Sequence, residues 1–263
     1  MISLYGGFCI GDLYPSINML LTVSTMKTKF EKLHRDIDML MQDIVNDHRS
    51  IHMEVSKDED IVDVLLKIQH ENEHTQNHVT DINMKSIILD MFAAGTETST
   101  GVMLWCMSEV VENTKCVIKE TLRLHLTAPL LVPREFRERC QINRYEIPTK
   151  SRVIVNVWAI GRDPRYWVED ESFKPKIFLN NPIDFKRIDY EFIPFGAGRR
   201  MCPGIAFSLP SIELYLAQLL YHFNWMLPND MKNEKLDMTE SFGITSRRKH
   251  DVFVIFEIHC LSK

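Results

Sequence analysis

The most informative ten residues of this 263-residue chain read Phe195-Gly196-Ala197-Gly198-Arg199-Arg200-Met201-Cys202-Pro203-Gly204. They enclose a cysteine in glycine, arginine and proline, directly before an apolar segment that has the composition of a helix. Cations and a helix N-terminus both favour a thiolate over a thiol, and the thiolate is the form that binds metal. Gly198 and Gly204 permit unusual backbone conformations and a close approach to a flat ligand, and Pro203 suits a helix start. The stretch therefore predicts a loop that presents the Cys202 sulfur to a metal.

Five positions of this stretch, in the pattern Phe-x-x-Gly-x-Arg-x-Cys-x-Gly, resemble the haem-binding signature of the cytochrome P450 family. A free cysteine beside a surface loop is the simpler interpretation of one cysteine, but five matched positions make it improbable. The resemblance implies haem b (iron protoporphyrin IX) as the cofactor and Cys202 as the axial ligand of its iron. It also implies that Phe195, Gly198, Arg200 and Gly204 bind the haem, with Arg200 paired to a propionate.

A second segment, Ala94-Gly95-Thr96-Glu97-Thr98-Ser99, lies inside an apolar run over 82–112 that predicts a buried helix. A kink caused by the hydroxyl side chains is the alternative interpretation. In the cytochrome P450 family this is the helix on the distal side of the haem. The resemblance implies that Ala94 and Gly95 leave room for dioxygen in the substrate pocket. It also implies that Glu97 and Thr98 are catalytic and relay protons to that dioxygen.

Glu120 and Arg123 lie three residues apart on a predicted helix. Taken alone, this spacing predicts an ordinary surface ion pair worth a few tenths of a kcal/mol. The resemblance instead implies that Glu120 and Arg123 form a buried structural lock on the loop that leads to Cys202.

The segment Pro129–Arg134 resembles the family's border of the substrate cavity. The resemblance implies that Leu130, Leu131 and Ile244 line an apolar pocket, and that Arg134 reaches a haem propionate.

One departure from the family concerns the lock. The family carries Pro-Glu-Arg-Phe, whose arginine joins the Glu-x-x-Arg pair, where this chain has Pro175-Lys176-Ile177-Phe178. Removing one partner from a buried charge network costs about 3–5 kcal/mol, so we expect impaired haem retention. On this view, Ile177→Arg combined with Lys176→Glu raises haem occupancy.

Composition and periodicity predict a mainly α fold with small β elements in a single domain over 1–263, since 45% of residues are hydrophobic. The expected elements are an amphipathic helix over 30–44, a short helix over 61–68, a hairpin within 141–157 that turns at 148–150, and an irregular stretch over 161–194. A helix over 204–223 that is buried on all sides and a strand over 251–259 are also expected. Six cysteines without paired spacing indicate a reducing compartment, and the net charge of −5 argues against nucleic acid.

The resemblance is to the C-terminal portion of a plant microsomal enzyme. We expect an incomplete cytochrome P450 fold without its N-terminal half, and an internal deletion near 113–116. The family lies on the cytosolic face of the endoplasmic reticulum membrane, but no membrane anchor is expected in this chain, because Ile17–Val23 is too short and the run over 87–111 contains three acids.

The resemblance implies a haem-thiolate monooxygenase that inserts one atom of dioxygen into a hydrophobic small molecule such as a terpenoid, with electrons from an NADPH-dependent reductase. Two alternatives stay open. The chain is a truncated remnant that binds haem poorly, or it is a zinc hydrolase. The second alternative follows from His70-Glu71-Asn72-Glu73-His74, in which His70 and His74 have the spacing of zinc ligands. It is disfavoured because no aliphatic residue lies between them.

Overall fold

The computed structural model describes residues 26–51, 59–72, 78–109, 114–179, 181–186, 189–232, 235–241 and 243–258. The chain divides between Thr96 and Glu97 into two compact units.

The first unit contains helix α1 (Met26–Ile51), helix α2 (Ile61–Glu71) and the first part of helix α3 (Asp81–Ser108). Helix α2 begins at a capping box, in which Asp60 accepts the N–H groups of Val62 and Asp63 and the Asp63 side chain accepts the N–H of Asp60. The apolar core of this unit is formed by side chains from all three helices: Val45, Val62, Leu65, Leu66 and Met84. The predictions of helices over 30–44 and 61–68 are confirmed.

Helix α3 is continuous from Asp81 to Ser108, so the predicted helix is confirmed, whereas the alternative of a kink stays untested. The prediction that this helix is buried is wrong for its middle, where residues 90–96 are all exposed. No described segment of the first unit packs over these side chains. Burial returns in the last two turns at Val102, Trp105 and Cys106.

The second unit is built around helix α4 (Thr114–Leu124) and helix α6 (Ile205–His222), with the short helix α5 (Val157–Ile160) between them in the chain. Helix α4 is buried along almost its whole length, because α6, the end of α3 and the 161–194 stretch all contribute to one apolar cluster. Three aromatic rings from that stretch pack together, with ring centroids of Trp167 and Phe178 5.8 Å apart and those of Phe178 and Phe192 5.3 Å apart.

The described part of 161–194 is irregular as predicted, with one 3-10 turn at Pro175–Phe178. The prediction that the helix after Gly204 is buried on all sides is wrong. Leu209, Ile212 and Leu216 of α6 are buried, whereas Phe207 on another face is 78% exposed. Helix α6 therefore presents one apolar face to the core and another to solvent.

Three two-stranded antiparallel sheets complete the second unit. They pair β1 (Arg134–Glu135) with β4 (Arg152–Val153), β2 (Cys140–Ile142) with β3 (Tyr145–Ile147), and β5 (Phe223–Met226) with β6 (Ile255–Ile258). The hairpin and the final strand are confirmed.

The tight turn of the β2–β3 hairpin lies at Asn143 and Arg144, both with positive φ, and not at 148–150. Two consecutive positive φ values match the twist of paired strands, and asparagine tolerates that region better than most residues. The turn over 148–150 instead leads from β3 to β4. Within the described residues, no helix is both long enough and apolar enough to cross a bilayer.

Candidate functional site

The loop around Cys202 is closed by its own backbone. The Cys202 N–H donates to the Phe195 carbonyl over 2.9 Å, and the Met201 N–H donates to the Gly198 carbonyl over 3.1 Å. A 3-10 turn at Gly198–Arg200 lies inside this closure, and α6 begins directly after Gly204. Cys202 is exposed. The loop therefore holds the Cys202 backbone in place while its side chain faces outward.

Two glycines carry the unusual backbone of this loop. Gly198 has a φ of +71°, as predicted, and Gly196 has a φ of +72° that the sequence analysis missed. The prediction of an unusual backbone conformation at Gly204 is wrong, because its φ is −81°. A Cβ on Gly204 would instead meet the Cys202 Sγ at 3.8 Å, which is an ordinary contact.

The segment after α4 is brought against this loop at Gly196. A Cβ built on Gly196 would lie 3.5 Å from Nη2 of Arg134 and 3.5 Å from Cδ1 of Leu131. Leu131 has a φ of +52°, a conformation that costs a non-glycine residue about 1 kcal/mol or more. Such strain is typical of residues held for a function. Two of the predicted site residues, Leu131 and Arg134, therefore lie beside the cysteine loop.

The remaining predicted site residues differ in exposure. Arg200 and Ile244 are exposed, while Phe195 and Leu130 are half-buried. The Phe195 ring packs edge-on against Phe185 with centroids 5.1 Å apart. Ala94 is exposed on α3 within the first unit.

Glu97 and Thr98 are both half-buried on α3 in the second unit. The Thr245 hydroxyl donates to Oε1 of Glu97 over 3.4 Å, which links α3 to the segment that contains Ile244. Thr245 is not among the predicted site residues. Its position next to Ile244 was the available signal, but nothing in the chain between 97 and 245 indicates that the two residues meet.

Glu120 and Arg123 form a bidentate pair inside the second unit. Nε and Nη2 of Arg123 donate to the two Glu120 oxygens over 2.7 and 2.8 Å. The Arg123 guanidinium also donates to three backbone carbonyls, those of Gly161, Asp170 and Ser172. The exposed fractions of Glu120 and Arg123 are 0% and 1%, so the interpretation as a surface ion pair is wrong.

Glu120 has a third donor that does not come from position 177. Its Oε1 accepts the backbone N–H of Lys174 over 2.6 Å. Ile177 is partly buried and packs against the apolar cluster of the second unit. The expectation that an isoleucine at 177 leaves the pair short of a donor is therefore wrong, because the Glu120 carboxylate already accepts three N–H groups.

This geometry changes the expected result for the double replacement Ile177→Arg with Lys176→Glu. We now expect haem occupancy per protein to stay unchanged, because the new guanidinium finds a carboxylate that is already satisfied and must displace apolar contacts. Haem content measured after expression with excess haem tests this, with Lys176→Glu alone as the control. A clear rise in occupancy for the double variant, without one for the control, would show that the lock lacks a partner.

Two predictions fall partly outside the described residues. His70 is exposed in the last turn of α2, and His74 is not among the described residues, so the zinc hypothesis stays a prediction. The same holds for the deletion near 113–116, because residues 110–113 are not described.

The chain is similar to known proteins over most of its length. A family model described as Cytochrome P450 matches residues 7–116 and 111–252. The curated protein Cytochrome P450 71D10 of Glycine max is 51% identical over 97% of this chain and 56% of its own length. Tabersonine 16-hydroxylase 2 of Catharanthus roseus is 46% identical over 94% of this chain and 56% of its own length. Premnaspirodiene oxygenase of Hyoscyamus muticus is 41% identical over 97% of this chain and 58% of its own length.

The chain thus spans somewhat more than half the length of these relatives. Identities of this size over almost the whole chain, together with the closed cysteine loop, identify its family. The chain belongs to the cytochrome P450 family.

Proposed function

We propose that this chain provides the haem-binding part of a monooxygenase that inserts one oxygen atom of dioxygen into a hydrophobic small molecule. The observation that supports this most directly is the outward-facing Cys202 in a loop closed by backbone hydrogen bonds, with Arg134 and Leu131 against Gly196. Two of the relatives are named a hydroxylase and an oxygenase. Another relative is named Salviol synthase, of Salvia pomifera. A terpenoid is our proposed substrate class.

The described residues fit a haem. A planar ligand over the cysteine loop needs an accessible sulfur, cations for its two propionates and little side-chain bulk beneath it. Cys202 is exposed, Arg200 is exposed on the same loop, and Arg134 lies at Gly196, where the loop carries no side chain. Cys202 would hold the iron, and Arg134 and Arg200 would pair with the propionates. Haem bound through a thiolate supplies the activation of dioxygen that the protein itself cannot perform.

The protein residues would position the reactants and supply protons. Glu97, held by the Thr245 hydroxyl, and the neighbouring Thr98 would move protons along α3 toward bound dioxygen. Leu130, Leu131 and Ile244 would contact the apolar substrate and exclude water. We propose an NADPH-dependent reductase as the electron donor and the cytosolic face of the endoplasmic reticulum membrane as the location, by analogy with plant enzymes of this family.

Difference spectroscopy of the reduced protein with carbon monoxide tests the proposal. The full chain is expressed with added haem, purified, reduced and exposed to carbon monoxide. A thiolate-type Soret band supports a haem-thiolate protein. Apoprotein, or the band of a neutral-thiol complex, would instead favour a non-catalytic remnant. We weigh this alternative because the chain spans only 56% of the length of Cytochrome P450 71D10.

A further inference from the structure

A half-buried charged cluster surrounds His125. The His125 ring stacks on Trp105 with centroids 4.1 Å apart and planes only 5° from parallel. Its Nε2 lies 3.8 Å from Oε1 of Glu109, and its Nδ1 lies 3.7 Å from Oε1 of Glu240. The His125 side chain is 13% exposed. One imidazole thus lies between a carboxylate that follows α3 and a carboxylate of the C-terminal segment.

In the C-terminal segment over 240–248, the described residues 240–241 and 243–248 bond to one another and to the rest of the second unit at several points. The Ser241 N–H donates to the Arg247 carbonyl over 2.7 Å. The Ser246 hydroxyl donates to Oε2 of Glu240 over 2.9 Å, and the Ser246 N–H donates to the Thr127 carbonyl over 2.9 Å. The next residue back, Thr245, is the donor to Glu97. A short series of contacts therefore leads from His125 through Glu240 and Ser246 to the Glu97 carboxylate.

We propose that His125, in its imidazolium form, anchors the 240–248 segment against α3 and so positions Thr245 on the Glu97 carboxylate. His125 is a positioning residue, since it acts on Glu97 only through Glu240, Ser246 and Thr245. A catalytic role for this positioning of Glu97 rests on the proposed function, because only that function makes Glu97 a proton carrier. The anchor itself depends only on side chains of the second unit.

Two arginines also lie near His125, and their like charge opposes its cationic form. Arg162 donates to the Leu124 carbonyl over 2.7 Å and acts electrostatically on Glu240. Arg248 lies over the Trp105 ring at 5.4 Å and donates to the Ser108 hydroxyl over 2.9 Å. On the remaining side, the Phe173 ring faces His125 at 6.2 Å and carries no charge. Among the described residues, Glu109 and Glu240 are thus the acids that face the imidazole.

The pKa values of His125 and Glu240 are shifted in opposite directions. Burial lowers the pKa of His125, but Glu109 and Glu240 outweigh burial, so its pKa lies above the ordinary value. Burial raises the pKa of the Glu240 carboxyl, but His125 and Ser246 outweigh burial, so its pKa lies below the ordinary value. A raised histidine pKa means that its stabilisation is complete below the unfolded value and is lost as pH rises through the folded value. The pair therefore contributes fully between the ordinary glutamate pKa and the ordinary histidine pKa. Its contribution falls as pH rises through the raised His125 pKa or drops through the lowered Glu240 pKa.

Amide hydrogen exchange of the full chain, measured by NMR without any need for haem, tests the anchor. In the native chain we expect the protection factors of residues 240–248, corrected for intrinsic exchange, to fall about tenfold as pH rises through the His125 titration. His125→Arg keeps a planar cation that can stack and pair, so protection should stay high and lose this pH dependence. His125→Phe keeps the ring but removes the charge, so protection should be low at every pH.

The matched control is His250→Gln, since His250 pairs with Asp237 at 3.5 Å but both side chains are more than half exposed. This variant should behave as the native chain does. The link to Glu97 is read from its carboxyl carbon signal, which should shift with the His125 midpoint in the native chain and not in Thr245→Val.

Protection that is independent of pH in the native chain, or a folded His125→Phe variant as protected as the native chain, would overturn the anchor. If His125→Phe does not fold, the pH dependence of amide protection in the native chain alone tests the anchor. A Glu97 signal that ignores the His125 midpoint would overturn the positioning step. Because these measurements need no haem, they can support the anchor even if the carbon monoxide experiment contradicts the proposed function. Equally, the anchor can fail while the proposed function is supported.

Discussion

Replacing Cys202 by serine is expected to abolish the thiolate-type Soret band of the reduced carbon monoxide complex. A serine hydroxyl stays protonated near neutral pH and lacks the polarisable sulfur that binds haem iron as a thiolate. The backbone of the loop should be unaffected, because its closing hydrogen bond runs from the N–H of residue 202 to the Phe195 carbonyl. We expect complete loss of the band, measured on protein with a circular dichroism spectrum like that of the native chain.

The matched control is Cys140→Ser. Cys140 is a free, half-buried cysteine on β2, outside the loop. Its replacement should leave the band unchanged. An unaltered band in Cys202→Ser would mean that another group ligates the iron, and both the assignment of the loop and the proposed function would fail together.

Replacing Arg123 by alanine is expected to lower the free energy of unfolding of the second unit by about 3–5 kcal/mol. The Arg123 guanidinium donates to Glu120 and to three backbone carbonyls, and all of these acceptors lose a partner at once. Glu120 would keep only the Lys174 N–H, so a fully buried carboxylate would remain without a counter-charge. Urea unfolding, followed by the near-ultraviolet tryptophan signal, measures the change, because all four tryptophans belong to the second unit and the guanidinium lies over the Trp167 ring at 5.3 Å.

Arg165→Gln provides the comparison. Arg165 pairs with Asp163 on the surface, with 77% of its side chain exposed. Surface ion pairs of this kind contribute little, so the unfolding midpoint should not move measurably. Similar unfolding midpoints for the native chain and Arg123→Ala would show that the pair is not a structural lock.

Much of the fold was accessible from local patterns. The helical periodicity over 30–44 and 61–68 and the run after residue 82 predicted α1, α2 and α3. Turn chemistry was harder to assign, because the β2–β3 hairpin turns at Asn143-Arg144 and not at the proline that follows β3. The burial of α3 and α6 was overestimated, since apolar composition does not tell which faces have a neighbour.

In the candidate site, too, local features were predictable from the sequence and contacts between distant residues were not. The glycine at 198, the cysteine at 202 and the helix start that follows were predicted from adjacent residues. The Lys174 N–H on Glu120, the contact of Arg134 with Gly196 and the Thr245 hydroxyl on Glu97 were not derivable from the residue pattern, because their partners lie far apart along the chain.

The amino-acid order alone thus determined the cysteine loop, the order of the motifs and membership of the family, because backbone closure and helix starts depend on a few neighbouring residues. Only the tertiary structure decided that Glu120 is satisfied without an arginine at 177, and that His125 lies between two carboxylates. The physical reason is that the desolvation and pairing of a charge depend on every element packed around it, and that environment forms only when distant segments meet.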